Sequence, residues 1–197
     1  MIALAVSPSP KSVFTPSFSV SIAAPPTAVF ALLTSRSTWK DWNGFVPNAY
    51  VRKPSSDPSA PRANPREDAL QLGQVLKFDV RTRIWGREVS VPGGSVEQIT
   101  ALSTPEDEGS LERDVYRVCW EARGAPSWLL KTLRVNEVLV EDGGQEAEGE
   151  TCIYRTYMTF EGILALPVKW LTGWMIKDGL NVWGEGLKRA AEAGLRA

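Results

Sequence analysis

The sequence predicts an α+β fold in which one curved, antiparallel, seven-stranded sheet wraps around a long C-terminal helix, with two short helices after the first strand. Two observations predict it. Alternating apolar and polar residues recur through the middle of the chain, and these stretches are joined by turns or short loops rather than by helices. Residues 167–193 instead carry apolar residues at helical spacing, with no proline after the first position.

Length and composition indicate one domain with a sizeable core. The chain has 197 residues, of which 43% are hydrophobic and 23% are charged, as in ordinary globular proteins. Residues 1–12 carry proline and serine with little pattern, so we predict a flexible N-terminal leader there. Residues 13–197 are predicted to form a single domain.

The charge balance and the missing residue types exclude several classes of function. Lys and Arg number 22 against 23 Asp and Glu, so no excess of positive charge is available for nucleic acid. Histidine is absent, which excludes Ser-His-Asp and Cys-His catalysis, and we expect no metal and no cofactor. No apolar stretch reaches the roughly 20 residues of a transmembrane segment. Cys119 and Cys152 have no metal-binding or redox spacing, which favours buried thiols in a cytoplasmic protein.

The first third of the chain predicts one strand, two short helices and a second strand. Apolar residues alternate with serine over Ser17–Ile22, and a helix is expected to begin at about Pro26, since proline suits the first helical turn. A second short helix is predicted over 37–42 and a strand over 46–51. Residues 53–68 contain four prolines, so we predict a mobile surface loop there.

The middle of the chain is predicted to be a meander of strands, and the end a single helix. Gly-rich turns follow two of the strands. The predicted strands cover residues 76–80 with a possible extension to 91, 95–102, 116–120, 133–140 and 151–160. The four glycines of the last helix indicate either a close approach to the sheet or a kink.

Four segments resemble a known superfamily. Residues 18–30 read FSVSIAAPPTAVF and residues 39–47 read WKDWNGFVP; residues 159–162 and 187–192 continue the likeness. The chain thereby resembles the START-like superfamily (SRPBCC, helix-grip fold), which includes polyketide cyclases, coenzyme Q-binding proteins and the birch-pollen-allergen proteins. The resemblance implies a START-like ligand-binding domain with an internal cavity. It carries over no catalytic residues, because members of the superfamily share no single catalytic set.

Eight tryptophans and a few polar strand residues supply candidates for the cavity wall. A single tryptophan is best explained as core, but a set of rings with a few polar groups is typical of a small-molecule pocket. Strict alternation places the hydroxyls of two strand tyrosines on apolar faces; it leaves the face of Asn136 undecided. The predicted ligand-binding residues are Trp42, Phe78, Val80, Tyr116, Trp120, Asn136, Tyr154, Met158, Trp170 and Trp174.

Acidic residues within strands are expected on the exposed face of the sheet. They are Glu97, Glu121 and Glu137. With no convincing buried acid and no histidine, catalysis has little support from the sequence, and no catalytic residue is assigned.

Three functions stay open. The first is binding of a hydrophobic small molecule, a lipid, quinone or polyketide-like compound, in an internal cavity. The alternative is a polyketide cyclase or dehydratase of secondary metabolism, in which the cavity orients the substrate and Tyr or Arg stabilises an enolate. The third is a protein-interaction module that uses the sheet exterior. We favour binding, leave turnover undecided, and make no prediction of the oligomeric state.

Overall fold

The computed structural model describes residues 11–53, 68–84, 86–105, 114–140 and 151–194. Most of the predicted leader (residues 1–10) and most of the predicted mobile loop (residues 54–67) lie outside the described residues. The division of the chain into a leader and one domain therefore stays a prediction.

The described chain contains nine strands, seven of which form one antiparallel sheet. In chain order they are β1 Ser17–Ile22, β2 Asn48–Lys53, β3 Val75–Asp79, β4 Arg81–Ile84, β5 Arg87–Ser90, β6 Ser95–Ser103, β7 Val115–Ala122, β8 Lys131–Val140 and β9 Cys152–Glu161. The order across the large sheet is β1-β9-β8-β7-β6-β3-β2. The seven-stranded antiparallel sheet predicted from the sequence is confirmed.

Three α-helices accompany the sheet in the described residues. Helix α1 spans Pro26–Thr34 and begins with its proline in the first turn, as expected. A short 3-10 turn, Arg36–Thr38, leads into α2, Trp39–Trp42. The long helix α3, Ala165–Gly194, packs against β1, β9, α1 and α2. Two short helices after the first strand and one long helix at the end are confirmed, and with them the helix-grip fold.

No helix in the described ranges is both long enough and apolar enough to cross a bilayer.

The region between β3 and β6 differs from the expected continuous strand. The main-chain N–H of Arg81 donates to the carbonyl oxygen of Phe45 at 2.8 Å, so the chain leaves the large sheet after Asp79. Strands β4 and β5 then pair only with each other and form a separate hairpin. The extension of the strand to residue 91 was therefore wrong, because a contact with the loop before β2 redirects the chain. Alternation along the sequence carries no information about that contact.

Close approach to neighbouring elements accounts for two of the glycines in α3. A Cβ atom at Gly186 would collide with the carbonyl oxygen of Trp42, which is backbone and cannot move aside. At Gly184 an added Cβ would meet the ring of Phe18 on β1. These glycines let α3 lie directly on α2 and on the edge of the sheet, where any larger residue would push it away.

Candidate functional site

Aromatic rings fill the middle of the space between the sheet and α3. Alternation along β3 and β7 turns Phe78 and Trp120 inward, α2 supplies Trp39, and α3 supplies Trp183. The rings contact one another with centroids 5.1–6.4 Å apart, mostly edge to face or tilted. Such offset arrangements are the favoured geometries of aromatic pairs. The site is therefore built around an apolar, π-rich centre.

A buried arginine lies against this centre. Arg134 on β8 is 3% exposed, and its guanidinium carbon lies 4.0 Å from the centroid of the Trp183 ring and 5.3 Å from that of Trp120. The cation–π contacts offset part of the cost of removing the charge from water. Burial nevertheless lowers the pKa of Arg134 below its ordinary value, against the opposing effects of Tyr154 and Glu97. Its Nη2 atom has no hydrogen-bond partner among the described residues.

Three polar side chains lie beside the arginine and satisfy one another. The Tyr154 hydroxyl donates to Oδ1 of Asn136 at 2.8 Å, and the Thr156 hydroxyl lies 2.9 Å from the same oxygen. Thr156 also accepts a bond of 3.3 Å from Nε of Arg134. The register of the sheet explains the group, because Asn136 is directly opposite Thr156 on β9. Burial raises the pKa of Tyr154, and the nearby Arg134 charge opposes that shift. The tyrosine therefore stays a protonated donor at neutral pH.

Glu97 is a buried acid on β6. It is 7% exposed, so the expectation that it lies on the solvent face of the sheet was wrong. Burial raises the pKa of Glu97 to about 7, against the opposing effects of a Ser95 hydrogen bond and the Arg134 charge. A carboxyl group with this pKa can both donate and accept a proton near neutrality. Glu97 is buried because neighbouring strands cover it, and those strands are distant from it in sequence.

Glu137, one residue beyond Asn136, lies on the opposite face of the same strand. It is fully buried, and its two oxygens accept bonds of 2.9 Å from Nε of Arg117 on β7 and Nε of Arg155 on β9. All three residues are directly paired in register, which places the two cations on either side of the carboxylate. The expectation that Glu137 is exposed was wrong, because its cross-strand neighbours cover it.

A small cavity of about 10 Å³ lies at the rim of the site. It is bounded by the loop before β2, the β4–β5 hairpin and the middle of α3. Phe45 lines this cavity, and its ring centroid is also 6.0 Å from the guanidinium carbon of Arg134. The Thr82 hydroxyl on the hairpin is buried with no partner in the described structure. Phe45 is thus the side chain between the rim and the buried arginine.

Most of the predicted ligand-binding residues meet in this interior. Phe78, Tyr116, Trp120, Asn136 and Tyr154 are buried there, while Trp42 and Val80 are partly buried and pack against the same core. Met158 is half-buried and is paired in register with Arg134.

The remaining two predicted residues lie elsewhere. Trp170 is 79% exposed and Trp174 is 55% exposed, both near the start of α3. The structure does not bring them to the interior, because this part of the helix extends beyond the aromatic centre.

Sequence reasoning left several residues of the interior out of the set. Arg134 shares its strand face with Asn136, but equally apolar residues on the other face of β8 hid which side is internal. Glu97 gave no signal at all, since a carboxylate within a strand is usually exposed. Trp39, Phe45 and Trp183 could have been found only from the packing of the helices on the sheet.

The chain has the START-like fold. No protein-family model matches the sequence, and no curated protein matches it. Similarity is found among solved structures. A hypothetical protein from Helicobacter pylori has a TM-score of 0.62 at 12% identity, over 93% of this chain and 90% of that one.

Two of the similar structures are proteins with named activities. Norcoclaurine synthase from Thalictrum flavum, solved with dopamine and hydroxybenzaldehyde, has a TM-score of 0.53 at 11% identity, over 91% of this chain and 87% of the synthase. The di-domain ARO/CYC BexL of the BE-7585A biosynthetic pathway has a TM-score of 0.54 at 14% identity. That match covers 93% of this chain but only 52% of BexL, so the chain spans about half of the di-domain protein. At these identities the likeness shows the fold alone.

Proposed function

We propose that this chain binds a hydrophobic small molecule carrying a carbonyl or anionic oxygen, in the space between the sheet and α3. The single observation that supports this most is Arg134, a buried cation among aromatic rings with one nitrogen atom left without a partner. Buried polar groups without partners are costly, and a ligand oxygen would satisfy this one. Lipids, quinones and polyketide-like compounds all combine an apolar body with such an oxygen.

Binding in this space requires side chains to move, because rings occupy its centre. Phe45 is the natural point of entry, since its ring separates the rim cavity from Arg134. Rotation of the Phe45 side chain would open a path from the rim cavity to Arg134 without altering the sheet. The predicted residues Phe78, Trp120, Asn136 and Tyr154 would then contact the ligand around the arginine.

The binding proposal is tested by native mass spectrometry of the purified chain, followed by extraction and identification of any retained compound. An apolar compound with a carbonyl or acidic group is expected. Arg134→Met should lose most of it, whereas the matched exposed variant Arg87→Met should retain it. A wild-type protein that carries nothing and binds no member of lipid, quinone and polyketide panels would contradict the proposal.

A second candidate function is catalysis of the cyclase or dehydratase type, and Glu97 is the observation that favours it. Its raised pKa, near 7, lets it accept a proton from a carbon beside a carbonyl group. Arg134 would stabilise the resulting enolate, and the protonated Tyr154 could return a proton to an oxygen. The shared fold of norcoclaurine synthase and BexL is consistent with this candidate, although the fold alone implies no activity.

Turnover of a short poly-β-ketone, followed as loss of water by mass spectrometry, separates the two candidates. If catalysis occurs, Glu97→Gln should abolish turnover while the compound still binds. The matched variant Glu185→Gln, which changes an exposed acid on α3, should leave the rate nearly unchanged. Absence of turnover by a wild-type protein that binds the compound would leave binding alone.

The proposal includes a cytoplasmic location. Cys119 and Cys152 are both buried thiols, as expected for a protein in a reducing compartment.

A further inference from the structure

One end of the molecule exposes an unusually large group of apolar side chains. They come from the loop between β7 and β8, the turn between β9 and α3, and the first three turns of α3. We call this group the tip patch: Trp128, Ile163, Leu164, Leu166, Trp170, Leu171 and Trp174, each between 39% and 79% exposed. Single exposed apolar residues are ordinary, but a contiguous group of this kind marks an interaction surface.

The tip patch is continuous because hydrogen bonds hold its segments together. The main-chain N–H groups of Ile163 and Leu164 donate to the carbonyl oxygens of Trp128 and Leu129, at 3.3 and 3.0 Å. Leu166, Trp170 and Trp174 follow at intervals of four residues, so they share one face of α3. Loop and helix therefore present a single apolar surface in a defined geometry.

Two lysines flank the helical part of the tip patch. Lys169 and Lys177 lie on α3 within residues 162–177, a range without Asp or Glu that Glu161 and Asp178 border. Within the described residues, Lys169 and Lys177 form no ion pair.

A groove adjoins the tip patch on one side. It has a volume of about 460 Å³ and lies between α3 and the segment before β1. Phe14, Trp174 and the two lysines Lys169 and Lys177 line it. Two aromatic rings beside two lysines suit a lipid molecule, with its chain against the rings and its phosphate at the lysines.

We propose that the tip patch docks this protein on an anionic lipid membrane, with Trp170, Leu171 and Trp174 at the boundary between headgroups and acyl chains. Tryptophan prefers that boundary, and lysines beside an apolar helix face are attracted by anionic headgroups. A second copy of the chain fits the surface less well, because self-association would bring Lys169 and Lys177 close to the same two lysines of the other copy. Docking of this kind is independent of whether the interior binds a ligand.

Vesicle sedimentation tests the proposal with the full chain and two kinds of vesicle, phosphatidylcholine alone and phosphatidylcholine with phosphatidylserine. Sedimentation with the anionic vesicles is expected, with weakening as salt is added. Lys169→Gln and Lys177→Gln should each weaken binding about fivefold. The double variant Trp170→Ser and Trp174→Ser should weaken it at least tenfold, roughly the effect of exposing one large apolar side chain. Both tryptophans are exposed, so these variants should unfold at the wild-type temperature.

Matched controls lie outside the tip patch. Tyr50→Ser removes an aromatic ring that is 59% exposed on β2, and Lys40→Gln removes an exposed lysine on α2. Both should sediment like wild type. Equal binding of the wild type and the tryptophan variant, or no binding to either vesicle, would overturn the proposal. Light scattering would also overturn it if the wild type were a stable dimer and the tryptophan variant a monomer. So would vesicle binding that appears only when residues 1–10 are deleted.

Discussion

The two faces of β8 each bury a charged side chain, and they hold these charges in opposite ways. On the outer face, Glu137 lies between Arg117 and Arg155, with both carboxylate oxygens bonded. On the inner face, Arg134 lies against aromatic rings, bonds to a threonine hydroxyl, and keeps one nitrogen atom without a partner. All the hydrogen bonds of the Glu137 carboxylate described above are made to residues of the fold itself. Arg134 can still donate a hydrogen bond from Nη2, and a binding site for a ligand oxygen needs such a donor.

The largest effect is expected where the fold depends on the charge. Glu137→Ala would leave Arg117 and Arg155 facing each other across an apolar gap. The loss should be about 3 kcal/mol of unfolding free energy, toward the low end for a buried pair, because both arginines are partly exposed to water. Urea denaturation followed by circular dichroism measures it. A loss as small as that of an exposed glutamate would contradict the assignment of Glu137 as the structural charge.

The inner acid should make stability depend on pH. Burial raises the pKa of Glu97 from 4.5 to about 7, so the folded state binds its proton more tightly than the unfolded state does. The stabilisation is complete below pH 4.5 and is lost as the pH rises through 7, a change of about 3 kcal/mol. Comparing wild type with Glu97→Gln by urea denaturation across that range isolates this group. Parallel curves would mean that Glu97 does not titrate there, whereas Glu185→Gln, which changes an exposed acid on α3, should keep the wild-type slope.

Removal of the inner cation should raise stability. Arg134→Met replaces a desolvated guanidinium with an apolar side chain of similar length, so the free energy of unfolding should increase by about 1.5 kcal/mol. The measurement belongs below the Glu97 pKa of about 7, where that carboxyl group is protonated and does not need the cation. A large decrease in the free energy of unfolding would contradict this prediction and would mean that the fold requires Arg134, as it requires Glu137.

The smallest expected effect tests the polar group beside the arginine. Tyr154→Phe removes the donor to Asn136 but leaves the Thr156 hydroxyl beside the same oxygen. The cost should be about 1 kcal/mol in thermal or urea unfolding, the usual value of one buried hydrogen bond. For comparison, Tyr157→Phe changes a tyrosine on the outer face of the same strand. Unchanged turnover of any substrate by Tyr154→Phe would exclude its hydroxyl as a proton donor.

The fold could be predicted closely because local patterns repeat over many residues. Phe18, Val20 and Ile22 specify β1 by alternation, and Pro26 marks the start of α1. The β4–β5 hairpin could not be predicted, since it depends on a main-chain bond between Arg81 and Phe45. Similarly, Trp170 and Trp183 carry the same helical signal, yet one is 79% exposed and the other is fully buried. Only the position of α3 against the sheet distinguishes them.

The sequence by itself determined the seven-stranded sheet, the long terminal helix and most of the side chains that face the interior, because periodicity is a local property of the chain. The tertiary structure alone decided which faces of β6 and β8 are internal, and therefore that Glu97 and Arg134 are buried. Burial depends on which strands and helices cover a residue, and those elements are distant in sequence. For the same reason, the buried positions of the two charged residues of the interior, Arg134 and Glu97, could not be predicted from the sequence.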